Sequence, residues 1–88
     1  MASFKLEVGS AVRRDMRRSP RNLIPRVLEK IQSLADDPMP QGSSKLKGAE
    51  ARYWIRVGDY RIVYEIDLQL RQVKVRHVGH RREIYRRD

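Results

Sequence analysis

The stretch "RVGDYRIVYEI", residues 56–66, constrains the fold more than any other part of the chain. Apolar and polar residues alternate on both sides of Gly58-Asp59, and a pair of this type between alternating runs signals a β-hairpin with a two-residue loop. That loop fixes the pairing. Val57 faces Tyr60, Arg56 faces Arg61, Ile55 faces Ile62, Trp54 faces Val63, Tyr53 faces Tyr64 and Arg52 faces Glu65. Side chains alternate between the two faces of a strand, so Tyr53, Ile55, Val57, Tyr60, Ile62, Tyr64 and Ile66 share one apolar face that must be covered. Arg52, Trp54, Arg56, Arg61, Val63 and Glu65 share the other.

What covers the apolar face comes from the first half. "SFKLEV" alternates and reads as a short strand. Ser10 is placed to cap a short basic helix from Ala11 to about Arg18, which "SPRN" ends. A second helix starts near Arg21 or Asn22 and runs to about Asp36, its apolar stripe formed by Leu23, Val27, Leu28, Ile31, Leu34 and Ala35. Pro25 is tolerable only in its first turn, where the missing N–H has no intrahelical partner. "DDPMPQGSS" is a loop leading into "KLKGAEAR". After the hairpin a turn around Asp67 to Leu70 leads to a third meander strand, Arg71 to Val78. The expected register sets Val73 opposite Tyr64 and Val75 opposite Ile62. Arg76 then falls beside Arg61 and Lys74 beside Val63, and Arg56, Arg61 and Arg76 form a row across three strands. "GHRREIYRRD" closes the chain as a loop or short helical turn. The expected order is βααβββ: one α+β domain over residues 1–88, with two helices on one face of an antiparallel sheet and a short basic C-terminal segment.

The row matters because directly opposed side chains start only about 5 Å apart, and like charges there destabilise a sheet. Two unit charges at that range repel by roughly 1 kcal/mol in water and about 3 at an effective dielectric of 20. An anion seated among the arginines accounts for such a row better than stability does. The whole chain leans the same way: 20 Lys and Arg against 11 Asp and Glu give a formal charge of +9. Arginine, the forked phosphate binder, far outnumbers lysine, which favours nucleic acid as the polyanionic partner.

Other chemistries are excluded. The chain has no cysteine, hence no disulfide, thiolate nucleophile or Cys-based zinc site. His77 and His80 are too few and too close for a metal centre, so neither metal nor cofactor is expected. No paired carboxylates, phosphate-binding glycine loop or Ser-His-Asp set is present. No run nears the roughly 18 apolar residues of a membrane span, and "MASFKLEV" lacks a signal peptide's apolar core, so a cytoplasmic protein without a membrane partner is expected. RNA transesterification remains open, because there the substrate's own 2′-OH is the nucleophile and the protein need only orient the backbone, stabilise the charged phosphorane and move protons. Arginines and a tyrosine can do that. "HRREIYRR" supplies Arg81, Arg82, Arg86 and Arg87 around Tyr85, whose ring can pack on the sheet, stack on a base or exchange a proton.

"KLKG", "YWIRVGDYRIVYEID" and "VKVRHVGHRREIY" together resemble the RelE branch of the RelE/ParE toxin superfamily, weakly in the helices and strongly from about Lys45 to Tyr85. The resemblance implies a bacterial toxin held inactive by a cognate antitoxin. It further implies a metal-independent endoribonuclease that enters the 30S A site of the ribosome and cuts the mRNA there, leaving a 2′,3′-cyclic phosphate and a 5′-OH. Carried across by position, Arg61 binds the scissile phosphate. Arg81 stabilises the transition state or serves as an acid, with Arg82 as the alternative. Tyr85 orients or deprotonates the 2′-OH, or stacks on the message. Members of this branch carry two lysines on the strand before the hairpin, where this chain has Trp54 and Arg56. Arg56 keeps its charge opposite Arg61, while Lys47 or Arg52 can compensate for Trp54, as can stacking of a base on the indole. Lys45, Lys47, Arg52, Trp54, Lys74, Arg76 and Arg82 are the expected RNA contacts. The alternatives are a ParE-like inhibitor of DNA gyrase, which shares the "YRIVY" strand, and a non-catalytic basic RNA-binding module.

Overall fold

The computed structural model describes residues 4–46 and 51–84. Lys47, Tyr85, Arg86 and Arg87 lie outside the described residues. Along the chain come β1 (Lys5–Val8), α1 (Ser10–Arg18), α2 (Ile24–Ser33), β2 (Ser44–Lys45), β3 (Arg52–Val57), β4 (Tyr60–Asp67), β5 (Gln72–His80) and α3 (Arg81–Ile84). The strands form one sheet in the order β1-β5-β4-β3-β2.

The α+β class, the two N-terminal helices and the meander are those the sequence implies. The sheet is mixed, however, because β1 lies parallel to β5. A parallel neighbour needs a crossover rather than a hairpin, and here α1 and α2 carry the chain over the sheet before the meander begins. The two-residue strand β2, which extends the sheet beyond β3, was not expected from the pattern.

The β3–β4 register is the predicted one, from Arg52↔Glu65 to Val57↔Tyr60. Gly58 takes φ 61°, the left-handed conformation that a tight hairpin turn asks of its first central residue. The β4–β5 register differs from expectation. Asp67 is still in the strand and accepts the Leu70 N–H on Oδ1 at 2.9 Å, while Arg71 takes φ 51°. The turn therefore sits one residue later than expected, pairing Asp67 with Gln72 and Tyr64 with Val75. A bulge follows, so that Val63 pairs with His77, Ile62 with Val78 and Arg61 with Gly79. Arg76 is the extra residue. The bulge has a physical cause: Val73, Val75 and Val78 all seek the core, and period two cannot put both Val75 and Val78 there without one added residue.

The core joins Val12 of α1 and Leu23, Val27, Ile31 and Leu34 of the α2 region to Ile55, Val57, Ile62, Tyr64, Ile66, Val73, Val75 and Val78 of the sheet. Leu28, expected in the apolar stripe, is instead 48% exposed. Pro25 sits in the first turn of α2, where it removes no helical bond. Ser10 is inside α1 rather than capping it. The N-cap position belongs to Gly9, whose N–H donates to the Val75 carbonyl oxygen at 2.8 Å. A Cβ on Gly9 would stand 3.0 Å from that oxygen, so glycine permits β1 to pass into α1 against β5.

Tyr64 is the largest fully buried side chain, and its hydroxyl donates to the Pro38 carbonyl at 2.8 Å, tying the long loop to the sheet. Burial pushes its pKa from 10.0 up to about 12. The folded protein thus holds this proton to higher pH than the unfolded chain does. Its stabilising contribution is complete below about pH 10 and is lost as pH rises through about 12. Tyr64→Phe is expected to cost about 1 kcal/mol at neutral pH and to flatten the alkaline fall in stability. Urea unfolding of both proteins at neutral pH and through the alkaline range checks this.

Candidate functional site

The polar face of the sheet divides into two halves. In one, carboxylates match the cations: Arg52 Nε lies 3.1 Å from Glu65 Oε2, Arg76 Nη1 3.8 Å from Glu65 Oε1, and Lys74 Nζ 3.8 Å from Glu7 Oε1. These three residues, expected to bind RNA, share the two carboxylates in a salt-bridged lattice. The bulge and the later turn bring this about by moving Arg76 away from Arg61 and Lys74 opposite Glu65. The expected row Arg56–Arg61–Arg76 is therefore corrected.

The other half is cationic. Arg56 and Arg61 are directly opposed, as expected. On the far side of Arg61 stands Gly79, which has no side chain, and two residues on comes Arg81. The Arg81 N–H donates to the Asp59 carbonyl at 3.0 Å, so the start of α3 is fastened to the hairpin turn beside Arg61. The third cation near Arg61 is thus Arg81. Among the described residues, Arg56, Arg81 and Arg82 have no ion-pair partner. Arg82 is exposed, with its N–H on His80 Nδ1 at 3.2 Å. His80 itself packs edge-on against Tyr60.

Arg61 is the centre of this cluster. Its guanidinium lies 4.1 Å from the centroid of the half-buried Trp54 ring. Its Nε and Nη1 are shielded from solvent. Burial lowers its pKa, and the positive charges of Arg56 and Arg81 lower it further. The folded protein therefore holds this cation less comfortably than water would, a penalty that a bound anion relieves. Trp54 serves as a platform for Arg61. Lys45 pairs with Tyr53, which puts it on the helix-bearing face of the sheet, away from the arginines. Lys47 and Tyr85 cannot be placed against the cluster, being outside the described residues.

Two further residues were not foreseen. Asp15, only 3% exposed, accepts the Val78 N–H on Oδ2 at 3.0 Å. β1 pairs with β5 only as far as Val75, so beyond it the edge of β5 needs another acceptor, and α1 supplies one. His77, opposite Val63 on the cationic face, has its Nδ1 3.8 Å from the same carboxylate oxygen. The signal for Asp15 was available: it is the one acid in "RRDMRR" and stands one turn after Val12 on the buried side of the helix. A separate concavity of about 590 Å³ is lined mainly by apolar residues, Val8, Val12, Met16, Ile24 and Leu28, with Ser10 and Arg13 beside them.

Comparison with known proteins adds an independent line. The family model described as the ParE toxin of type II toxin–antitoxin systems matches residues 7–85. The toxin RelG of Mycobacterium tuberculosis is 30% identical over 85 residues, covering 96% of this chain and 98% of the relative. In the RelBE2 toxin–antitoxin complex of M. tuberculosis, the matched chain is 26% identical with a TM-score of 0.76, over 90% of this chain and 99% of that one. The archaeal RelE–RelB complex of Pyrococcus horikoshii shares the fold, with a TM-score of 0.79 at 23% identity over 92% of this chain and 98% of that one.

Proposed function

We propose that this chain, which belongs to the RelE/ParE superfamily of toxins from type II toxin–antitoxin pairs, is a ribosome-dependent endoribonuclease that cuts mRNA in the A site. The observation that carries the reading is the cationic half-face: Arg61, partly desolvated and repelled by Arg56 and Arg81, with Trp54 as its platform. Such a cluster favours a dianionic phosphorane over a singly charged phosphodiester, which is the differential binding that catalysis requires.

In the proposed reaction the 2′-oxygen attacks the adjacent phosphorus, the P–O5′ bond breaks, and the 2′-OH proton is removed while the 5′-oxygen gains one. The products are a 2′,3′-cyclic phosphate and a 5′-OH, and no water is consumed. Arg61 and Arg56 bind the non-bridging oxygens. Arg81, with Arg82 as the alternative, neutralises the charge developing on the phosphorane or the leaving oxygen. Tyr85 orients or deprotonates the 2′-OH. A cognate antitoxin is the expected protein partner, in keeping with the toxin–antitoxin complexes among the similar structures. An acidic or amphipathic segment of it would silence the toxin by covering the arginines or displacing the C-terminal piece. The match to the ParE model favours gyrase inhibition as the second reading.

Induced expression in bacteria separates the two. The nuclease reading predicts growth arrest with translation stopping first and DNA intact, relieved by co-expressed antitoxin. Arrest with induced DNA damage and continuing translation would instead establish gyrase as the target.

A further inference from the structure

Among the described residues the outer edge of β3 is only partly covered, because β2 pairs with Trp54 and Tyr53 and no strand lies beside Ile55 to Val57. Against this free edge α2 sets Arg26, Glu29, Lys30 and Ser33, and the space between is a cleft of about 380 Å³ closed at one end by Val57 and Gly58. Arg26 and Lys30 stand one turn apart on the same side of α2. Arg56 lines the cleft as well, and it is also the residue opposed to Arg61. The cleft therefore adjoins the cationic half-face at Arg56, where β3 ends in the hairpin turn. Three cations meet one carboxylate in it, and among the described residues none of the three is ion-paired.

We propose that this cleft is a phosphate subsite for RNA, in which Arg26 and Lys30 hold a backbone phosphate next to the one bound by Arg61. The proposal rests on the nuclease reading and extends it by giving the strand a direction: from the Arg61 centre, over Arg56, off the free edge of β3 and along α2. The chemistry favours a phosphodiester over a small neutral ligand, since the lining is charged and open and lacks the apolar walls that bury a compact molecule. Adjacency to the Arg61 centre favours RNA over an acidic protein segment. The phosphate proposed is the message strand's; one of ribosomal RNA would meet the same chemistry, and the test separates the two.

The test compares wild type, an Arg26→Ala/Lys30→Ala double variant and Glu29→Gln, none of which alters the Arg61 cluster. Two affinities are measured across a salt series. One is for a free single-stranded oligonucleotide made uncleavable by 2′-O-methylation; the other is for ribosomes programmed with a message bearing the same block. Cleavage of unmodified message is followed in parallel. The double variant is expected to bind about tenfold more weakly, with a salt slope shallower by about 0.7 per lost phosphate contact. Its cleavage rate at saturation should stay within about twofold of wild type, as for a group that binds ground and transition states alike. Glu29→Gln is expected to bind more tightly. A loss seen with the oligonucleotide supports the subsite on the substrate strand, and a loss confined to ribosomes would overturn it in favour of a contact with ribosomal RNA. Unchanged affinity and slope in both, beside wild-type cleavage, would overturn the subsite alone. Weakened antitoxin binding with unchanged RNA binding would likewise overturn it, giving the cleft to an acidic segment. If folded wild type cuts no message, the nuclease reading fails and the subsite falls with it.

Discussion

Arg61→Ala is expected to lower the rate of message cleavage at saturation by about 10²–10³-fold, the usual loss when one preorganised donor to a developing oxyanion is removed. The same change is expected to leave the protein folded. It takes away a cation that repels Arg56 across the hairpin and Arg81 at the start of α3. It also loses the contact with Trp54. These effects oppose each other and are each on the order of 1 kcal/mol, so the melting temperature should move by only a few degrees. Arg61→Lys separates charge from shape: a lysine keeps the point charge but loses the planar fork and its stacking on the indole, and should recover only part of the rate. Single-turnover cleavage beside thermal unfolding makes both measurements. A large loss of stability with a proportionate loss of activity would make Arg61 a structural residue and remove the basis for the proposed site.

Asp15→Ala is expected to behave in the opposite way, costing about 2–3 kcal/mol of stability by leaving the buried Val78 N–H without its acceptor. The cost reaches the site through the chain. Val78 is the last core residue of β5, and Gly79, His80 and Arg81 follow at once. Loosening β5 from α1 frees the segment that sets Arg81 beside Arg61. Asp15→Asn keeps an acceptor of nearly the same shape while removing the charge near His77 Nδ1. It should therefore retain most of the stability. Urea unfolding of the two variants distinguishes the roles, because equal losses would show that the negative charge, and not the hydrogen bond, is what α1 supplies. Hydrogen exchange at Val78 would report the bond itself.

Much of this fold was legible because the hairpin is over-determined. The turn dipeptide, the alternation and the apolar count on one face all agree, so the Arg56–Arg61 opposition followed from the sequence without ambiguity. The β4–β5 pairing was not determined in this way. A turn shifted by one residue moves the register by two and leaves every side chain on its expected face, so the apolar pattern cannot detect it. What fixes the turn is the Asp67 side chain, whose hydrogen bond to the Leu70 N–H acts locally and leaves no mark on the apolar pattern. The bulge does leave a trace, since Val73, Val75 and Val78 break period two, but a strand drawn straight from Arg71 to Val78 puts Val78 on the open face. Those two steps separated Arg76 from Arg61. They turned a supposed row of three arginines into a salt-bridged lattice and a distinct cationic cluster. The parallel placement of β1 was out of reach for another reason: strand direction depends on how the helices cross the sheet, which no local pattern encodes.

The site was legible to a different degree. Charge and residue type marked the face, and the family resemblance singled out Arg61 and Arg81 on it, yet which cations have a carboxylate partner depends on cross-strand neighbours that only the true register supplies. Lys45 illustrates the limit. It looked like part of a basic approach to the hairpin, but β2 pairs it with Tyr53 on the helix-bearing face.

Whether this chain cleaves RNA at all is tested most directly with the wild-type protein alone. It is incubated with ribosomes programmed with a defined message, with enough chelator to bind trace transition metals and magnesium held at the level ribosomes need, and the new 5′ ends and their end groups are mapped. Cuts inside the A-site codon that leave a 2′,3′-cyclic phosphate and a 5′-OH are the expected result. An intact message after incubation with folded protein would contradict it.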